Sequence, residues 1–211
     1  MTQHAREDLA SLEFLEEQVS IRNTLTRELN HRVKNTLANV LSIVALTRRR
    51  ATGLEQFAEA LTGRIMALSA THDILTRLSW EPAPLRAIVA AELAPYTEGG
   101  DHIISVAGPE VSLAPNDALS LGLAVHELAT NASKYGALSI LSGQVTVSWE
   151  MIAPDQARVT WQEQGGPPVP QDRRRGFGTD LVEKIVAHEL GHCADLRFDP
   201  AYSALAGEVS H

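Results

Sequence analysis

From Ala5 to Arg50 the chain contains neither glycine nor proline, and within this stretch Leu29, Val33, Leu37, Val40 and Val44 recur at spacings of four, four, three and four. Nothing here breaks a helix, and at 3.6 residues per turn the spacing returns the apolar side chains to one face. The prediction is one long amphipathic helix. Thr52-Gly53 interrupts it, and a second helix is expected over 54–78 with Phe57, Leu61, Ile65, Leu68, His72 and Leu75 on its buried side. Two long helices joined by a short turn form an antiparallel hairpin. Its apolar stripes would bury more surface if two copies paired as a four-helix bundle, so a homodimer through the hairpin is expected, although packing on a second domain would serve equally.

Trp80-Glu-Pro-Ala-Pro84 ends the second helix, because two prolines within three residues cannot continue it. Beyond this point the pattern changes. Residues 85–93 read as a helix, 102–106 as a strand and 115–135 as a helix with a polar face. Residues 144–150 and 158–162 alternate at period two about a Pro-Asp turn, which predicts an antiparallel pair. A Gly-, Pro- and Arg-rich loop over 165–178, a helix over 179–190 and short strands near 194–198 and 204–209 complete an α/β sandwich. The fold class is therefore α+β, a helical hairpin followed by a sandwich domain. A hydrophobic share of 44% in 211 residues supplies enough material for such a core.

A net charge of −8 and the lack of a long basic run exclude a general nucleic-acid binder. A single cysteine, Cys193, allows no internal disulfide. No apolar run nears the ~18 residues that span a bilayer, and the N-terminus has no apolar signal segment. A cytoplasmic protein without a membrane span is expected.

On the polar-faced helix, Glu127, Asn131 and Lys134 share one side while Leu121, Val125, Leu128 and Ala132 recur on the other. A carboxylate, an amide oxygen and an ammonium then converge, and oxygen ligands with a lysine point charge suit a Mg²⁺-bound nucleoside triphosphate. In the first helix His31 lies about 200° from Leu29 and Val33, so its imidazole faces solvent. Asn35, one turn on, is placed to orient a phosphoryl oxygen or a water beside it. An exposed imidazole, with an ordinary pKa of ~6.5, is mostly neutral near pH 7 and competent as a nucleophile toward phosphorus. Glu163 ends a predicted strand, where it can accept a hydrogen bond from the exocyclic amine of adenine, and Gly165 and Gly166 let backbone approach the base. Gly176-Phe-Gly178-Thr179 opens a helix whose free amides suit phosphate oxygens.

One pattern points elsewhere. His188-Glu-Leu-Gly-His192 matches the H-E-x-x-H zinc peptidase signature. Gly191 would more naturally end that helix, taking His192 off the face of His188, and no third ligand follows at a usable spacing. Metal-dependent hydrolysis is therefore disfavoured.

Taken together, His31-Arg-x-Lys-Asn35, His126-Glu-x-x-x-Asn131, Trp161-x-Glu163 and Gly176-Phe-Gly178 resemble the HWE family of bacterial sensor histidine kinases, over roughly residues 25–200. The resemblance implies a signalling or linker helix over 1–24, a dimerisation and histidine-phosphotransfer hairpin over 25–80, and a catalytic domain of the Bergerat (GHKL) ATP-binding fold over 81–211. It implies His31 as phosphoacceptor, Asn131 as Mg²⁺ ligand and Glu127 as a second acidic group near the metal or nucleophile. Lys134 and Tyr135 would touch phosphate or ribose, Glu163 would bind adenine, and Gly176, Gly178 and Thr179 would line the triphosphate. ATP and Mg²⁺ are the implied cofactors, and a response-regulator receiver domain the implied partner. A non-catalytic phosphotransfer or phosphatase scaffold of the same fold is the alternative. Two departures stand out. Arg32 follows the phosphoacceptor where common histidine kinases carry an acid, and no sensor domain precedes the hairpin, so the input is expected from outside residues 1–211.

Overall fold

The computed structural model describes residues 3–49, 51–97, 103–154, 156–168, 194–199 and 202–210. By contact the chain divides into two compact units, Met1–Arg49 and Arg50–His211.

The first unit is a single helix, α1 (Gln3–Arg48), as the unbroken run requires. Its apolar stripe is largely open: Leu25, Leu29, Val33, Leu37 and Leu41 all remain exposed, while Ile43 is buried. Thr24, Thr26 and Thr36 each return their hydroxyl to the carbonyl four residues back, which lets β-branched residues sit inside the helix.

The second unit begins with α2 (Leu54–Arg77). Its buried face is rotated by about one residue from the expected stripe. Leu68 and Leu75 are buried as expected, but Ile65 is 39% exposed and Arg64 goes inside instead. Phe57, Leu61 and His72 are half-buried. The rotation has a physical cause in the ion pair that Arg64 makes, described below. The helix also ends before its prolines. Trp80 N–H donates to Leu75 O and Ser79 N–H to Thr76 O, a Schellman turn closed by Ser79 and Trp80 in the left-handed region at φ 53° and 64°.

Two short strands, β1 (Ala83–Pro84) and β3 (Ser112–Leu113), pair antiparallel beside α3 (Leu85–Thr97). The main sheet has the order β2-β4-β5-β7-β6, with β2 (Ile103–Ala107), β4 (Gln144–Ala153), β5 (Gln156–Gln164), β6 (Ala194–Asp199) and β7 (Tyr202–Ser210). Among the described residues only the β2–β4 pair is parallel. That pairing needs a crossover, which α4 (Pro115–Tyr135) supplies. Arg86 of α3 closes the end of β2 by donating to Val106 O and Gly108 O at 2.9 Å each, with its guanidinium 5.0 Å above the Trp149 ring.

In β4 and β5 the buried positions alternate: Val145, Val147 and Trp149 on one strand, Ala157, Val159 and Trp161 on the other. These line the inner face of the sheet. The register sets Val147 opposite Trp161 and Val145 opposite Glu163, so Glu163 is the next inward position after the tryptophan. Helix α4 is buried without interruption from Ala118 to Val125, with α2 and α3 packed along it. At Gly122 a Cβ would collide with Thr71 Oγ1 of α2, so the close approach of these two helices requires glycine there.

Candidate functional site

The C-terminal half of α4 carries the polar face read from the sequence, and α2 packs along that face. Glu127, 5% exposed, forms a two-point pair with Arg64: Arg64 Nη2 donates to Oε2 at 2.8 Å and Nε lies 2.7 Å from Oε1. Two turns later Lys134 Nζ donates to Glu59 Oε1 at 2.6 Å. Both of these side chains are largely in solvent. The Lys134 hydrogen bond, reinforced by its charge, holds the Glu59 carboxyl below the usual carboxylate range. Asn131 lies between the two pairs on the same face and is half-buried, while Tyr135 is exposed. Glu127, Asn131 and Lys134 therefore share a face as expected, with two of the three engaged by α2.

His126 sits at the crossing of three helices. Its Nδ1 is 3.4 Å from Oε2 of the buried Glu92 on α3, and a Cβ on Gly63 of α2 would meet its Nε2 at 3.1 Å. Among the described residues, Glu92 Oε1 has no hydrogen-bond partner.

Where α4 ends, the strand end of β5 meets it. Gly136 N–H still bonds Ala132 O, and the chain then turns through a 3₁₀ turn over Ala137–Ser139. Ala137 N–H donates to Glu163 Oε2 at 2.8 Å, and the indole Nε1–H of Trp161 donates to Glu163 Oε1 at 3.1 Å. The backbone of Gly136 is extended, φ −117°, which any residue tolerates. Its requirement for glycine is spatial, since a Cβ would overlap the Glu163 carboxylate. Gly165, at φ 72°, turns the chain out of β5, and Gly166 passes so close that a Cβ would lie 2.9 Å from Ala137 N. Glu163, Gly165 and Gly166 are thus gathered with the end of α4 into one corner lined by backbone and one half-buried carboxylate.

On α1, His31 and Asn35 are exposed. His31 borders an open hollow that also takes in Asn23, Thr26, Arg27, Asn30 and Lys34. Two cations beside an imidazole make this a face that attracts phosphate. Gly176, Gly178, Thr179 and the His188–His192 motif lie outside the described residues.

Sequence reasoning missed Glu59, Gly63, Arg64 and Glu92, and also Gly136 and the Ala137 amide. The first four contact α4 across 34 or more positions of chain, and no local spacing announces them. Gly136 did carry a signal, since a glycine directly after a helix marks its end; its second role, making room for a carboxylate, did not.

Among the described residues no three His, Cys, Asp or Glu side chains gather as a metal cage. With the Glu127 carboxylate held at both oxygens by Arg64, the amide of Asn131 is the oxygen on this face that suits a hard cation bringing most of its ligands from phosphate and water. Among the described residues no helix is long and apolar enough to cross a membrane.

The sequence profile of the HWE histidine kinase family matches residues 28–110. A blue-light-activated histidine kinase of Brucella anthropi is 40% identical over 179 residues, which is 83% of this chain and 36% of that protein. The chain belongs to the HWE histidine kinase family. A blue-light-activated histidine kinase of Erythrobacter litoralis is 38% identical over 172 residues, 79% of this chain and 48% of the relative. The chain thus spans less than half the length of these relatives. A solved blue-light activated histidine kinase of Erythrobacter litoralis superposes with a TM-score of 0.64 at 23% identity, over 86% of this chain and 57% of that one. Its histidine kinase domain gives 0.62 at 20% identity, over 82% and 84%. The fold is accordingly two long helices followed by a Bergerat-type α/β sandwich.

Proposed function

We propose that this chain is a cytoplasmic, autophosphorylating histidine kinase core that uses Mg·ATP to phosphorylate His31 and passes the phosphoryl group to an aspartate of a response-regulator receiver domain. Residues 1–24 would serve as signalling helix, 25–80 as dimerisation and phosphotransfer segment, and 81–211 as catalytic domain. The observation that carries this reading is the solvent-exposed imidazole of His31 beside Lys34 and Arg27 on a helix of an HWE-family chain.

Bound Mg²⁺ supplies charge neutralisation on the phosphates. Asn131 offers the amide oxygen that would hold it. Lys134, whose pair with Glu59 is exposed and exchangeable, is placed to move to a phosphate, with Tyr135 beside the ribose or phosphates. Glu127 enters already compensated by Arg64, so its contribution is to keep α2 and the metal-binding face in register rather than to act as a free base. Glu163 accepts from the adenine amine while Gly165 and Gly166 admit the ring. Gly176, Gly178 and Thr179 would offer amides and a hydroxyl to the triphosphate. The unprotonated nitrogen of His31 bonds to the γ-phosphorus as the bond to the β–γ bridging oxygen breaks, ADP keeping that electron pair. Asn35 orients a phosphoryl oxygen. In the transfer a carboxylate oxygen of the receiver aspartate bonds to phosphorus as the N–P bond breaks, the electron pair returning to nitrogen, and with the other ring nitrogen still protonated neutral imidazole is restored. Self-association through the open stripe of Leu25, Leu29, Val33, Leu37 and Leu41 would make the active species a homodimer.

Incubation with γ-labelled ATP tests the assignment. Label on the wild-type chain and none on His31→Ala is expected; equal label on both would contradict His31 as the acceptor, and none on either would leave the scaffold alternative.

A further inference from the structure

We infer that Trp161 is a positioning residue for base selection: its indole N–H fixes the Glu163 carboxylate as a pure acceptor toward an amino-bearing purine. The inference rests on the reading of Glu163 as the adenine-binding group.

The pleat explains the pairing. Residues two apart on a strand project to the same face, so Trp161 and Glu163 are neighbours on the inner side of β5. The Trp161 ring is 2% exposed, and burial alone would be met equally by phenylalanine. What tryptophan adds is a donor at the ring edge, and that donor is used, 3.1 Å from Glu163 Oε1. Ala137 N–H takes the other oxygen at 2.8 Å, and Gly136 leaves the space in which the carboxylate lies. A glutamate side chain, otherwise free about three torsions, is thereby held at both oxygens. Each oxygen accepts through two lone pairs, so one acceptor position on each stays open to a ligand. A carboxylate tied down by N–H donors presents acceptors only. An exocyclic amine satisfies it, whereas a 6-oxo purine sets one acceptor against another.

Removing the donor while keeping the ring should release the carboxylate and weaken base selection, because a hydrogen bond to a charged group and the ordering of one side chain are both lost. The test measures ADP and IDP affinities by calorimetry, with Mg²⁺, on the full chain as wild type, Trp161→Phe and Glu163→Ala. Wild type should prefer ADP, Glu163→Ala should lose the preference, and Trp161→Phe should lose roughly ten-fold of it with IDP affinity unchanged. A Trp161→Phe protein with the wild-type ADP/IDP ratio, or one weakened equally toward both, would overturn the positioning role. If wild type shows no preference, or Glu163→Ala retains it, the adenine-binding reading of Glu163 itself fails. Should Trp161→Phe fold poorly, 3-benzothienylalanine at position 161, matched in shape but lacking the N–H, is expected to give the same loss of ADP preference.

Discussion

Breaking the Arg64–Glu127 pair should destabilise the second unit more than any other single polar change among the described residues. Both side chains are 6% exposed, and their contacts are 2.7 and 2.8 Å. A buried pair of this kind gains little over an apolar pair of equal volume, since desolvation of both ions offsets their attraction. Removing Arg64 is different, because the Glu127 carboxylate then stays buried without its cation, at a cost of about 3–5 kcal/mol. For a domain of this size each kcal/mol lowers the melting temperature by roughly 2–4 °C, so Arg64→Met alone should lose about 6–20 °C, and Glu127→Leu is the substitution combined with it in the double variant. The double variant, which removes both charges and leaves two apolar side chains facing each other, should recover most of that loss. Thermal and urea melts followed by circular dichroism provide the assay. An Arg64→Met variant within about 0.5 kcal/mol of wild type, or a double variant whose loss equals the sum of the singles, would refute the reasoning.

Other consequences are smaller. Ser79 closes the Schellman turn at φ 53°, so Ser79→Gly should relieve about 1–2 kcal/mol of left-handed strain less about 0.4–1 for added unfolded-chain freedom, and a thermal melt should rise by a few degrees. The depressed Glu59 carboxyl means that its pair with Lys134 is intact above the ordinary carboxylate pKa and is lost as pH falls through the lowered value; an NMR titration should show this, and Lys134→Ala should return Glu59 to the usual range. Glu59→Gln should barely move the melting temperature, because the pair is exposed. Leu29 and Leu37 are 62% and 57% exposed, so glutamate at both should leave the fold intact while light scattering shows a monomer in place of a dimer.

Much of the architecture is legible in the residues. Helix α4 was expected over 115–135 and occupies Pro115–Tyr135, since proline at its first turn and Gly136 behind it mark both ends. The β4–β5 pair follows its period-two alternation, and His31 is exposed as expected, although so is most of the apolar stripe opposite it. Packing between distant elements is less legible. The spacing that puts Glu127, Asn131 and Lys134 on one face is equally satisfied by a ligand or by a charged partner helix, and only the fold brings Glu59 and Arg64 opposite them. The same ion pair turns α2 by about a residue, burying Arg64 and exposing Ile65, which a purely apolar stripe could not anticipate. Trp161 and Glu163 were readable as same-face neighbours. Their hydrogen bond was not, because it depends on the indole edge reaching the carboxylate beside Ala137.

The most direct check on the central claim is the chemistry of the phosphorylated residue after incubation with Mg·ATP. Peptide mapping under neutral conditions should place an acid-labile, base-stable phosphoryl group on the peptide containing His31. An acid-stable phosphate on a hydroxyl residue, or an acid-labile one on a peptide carrying a different histidine, would contradict it.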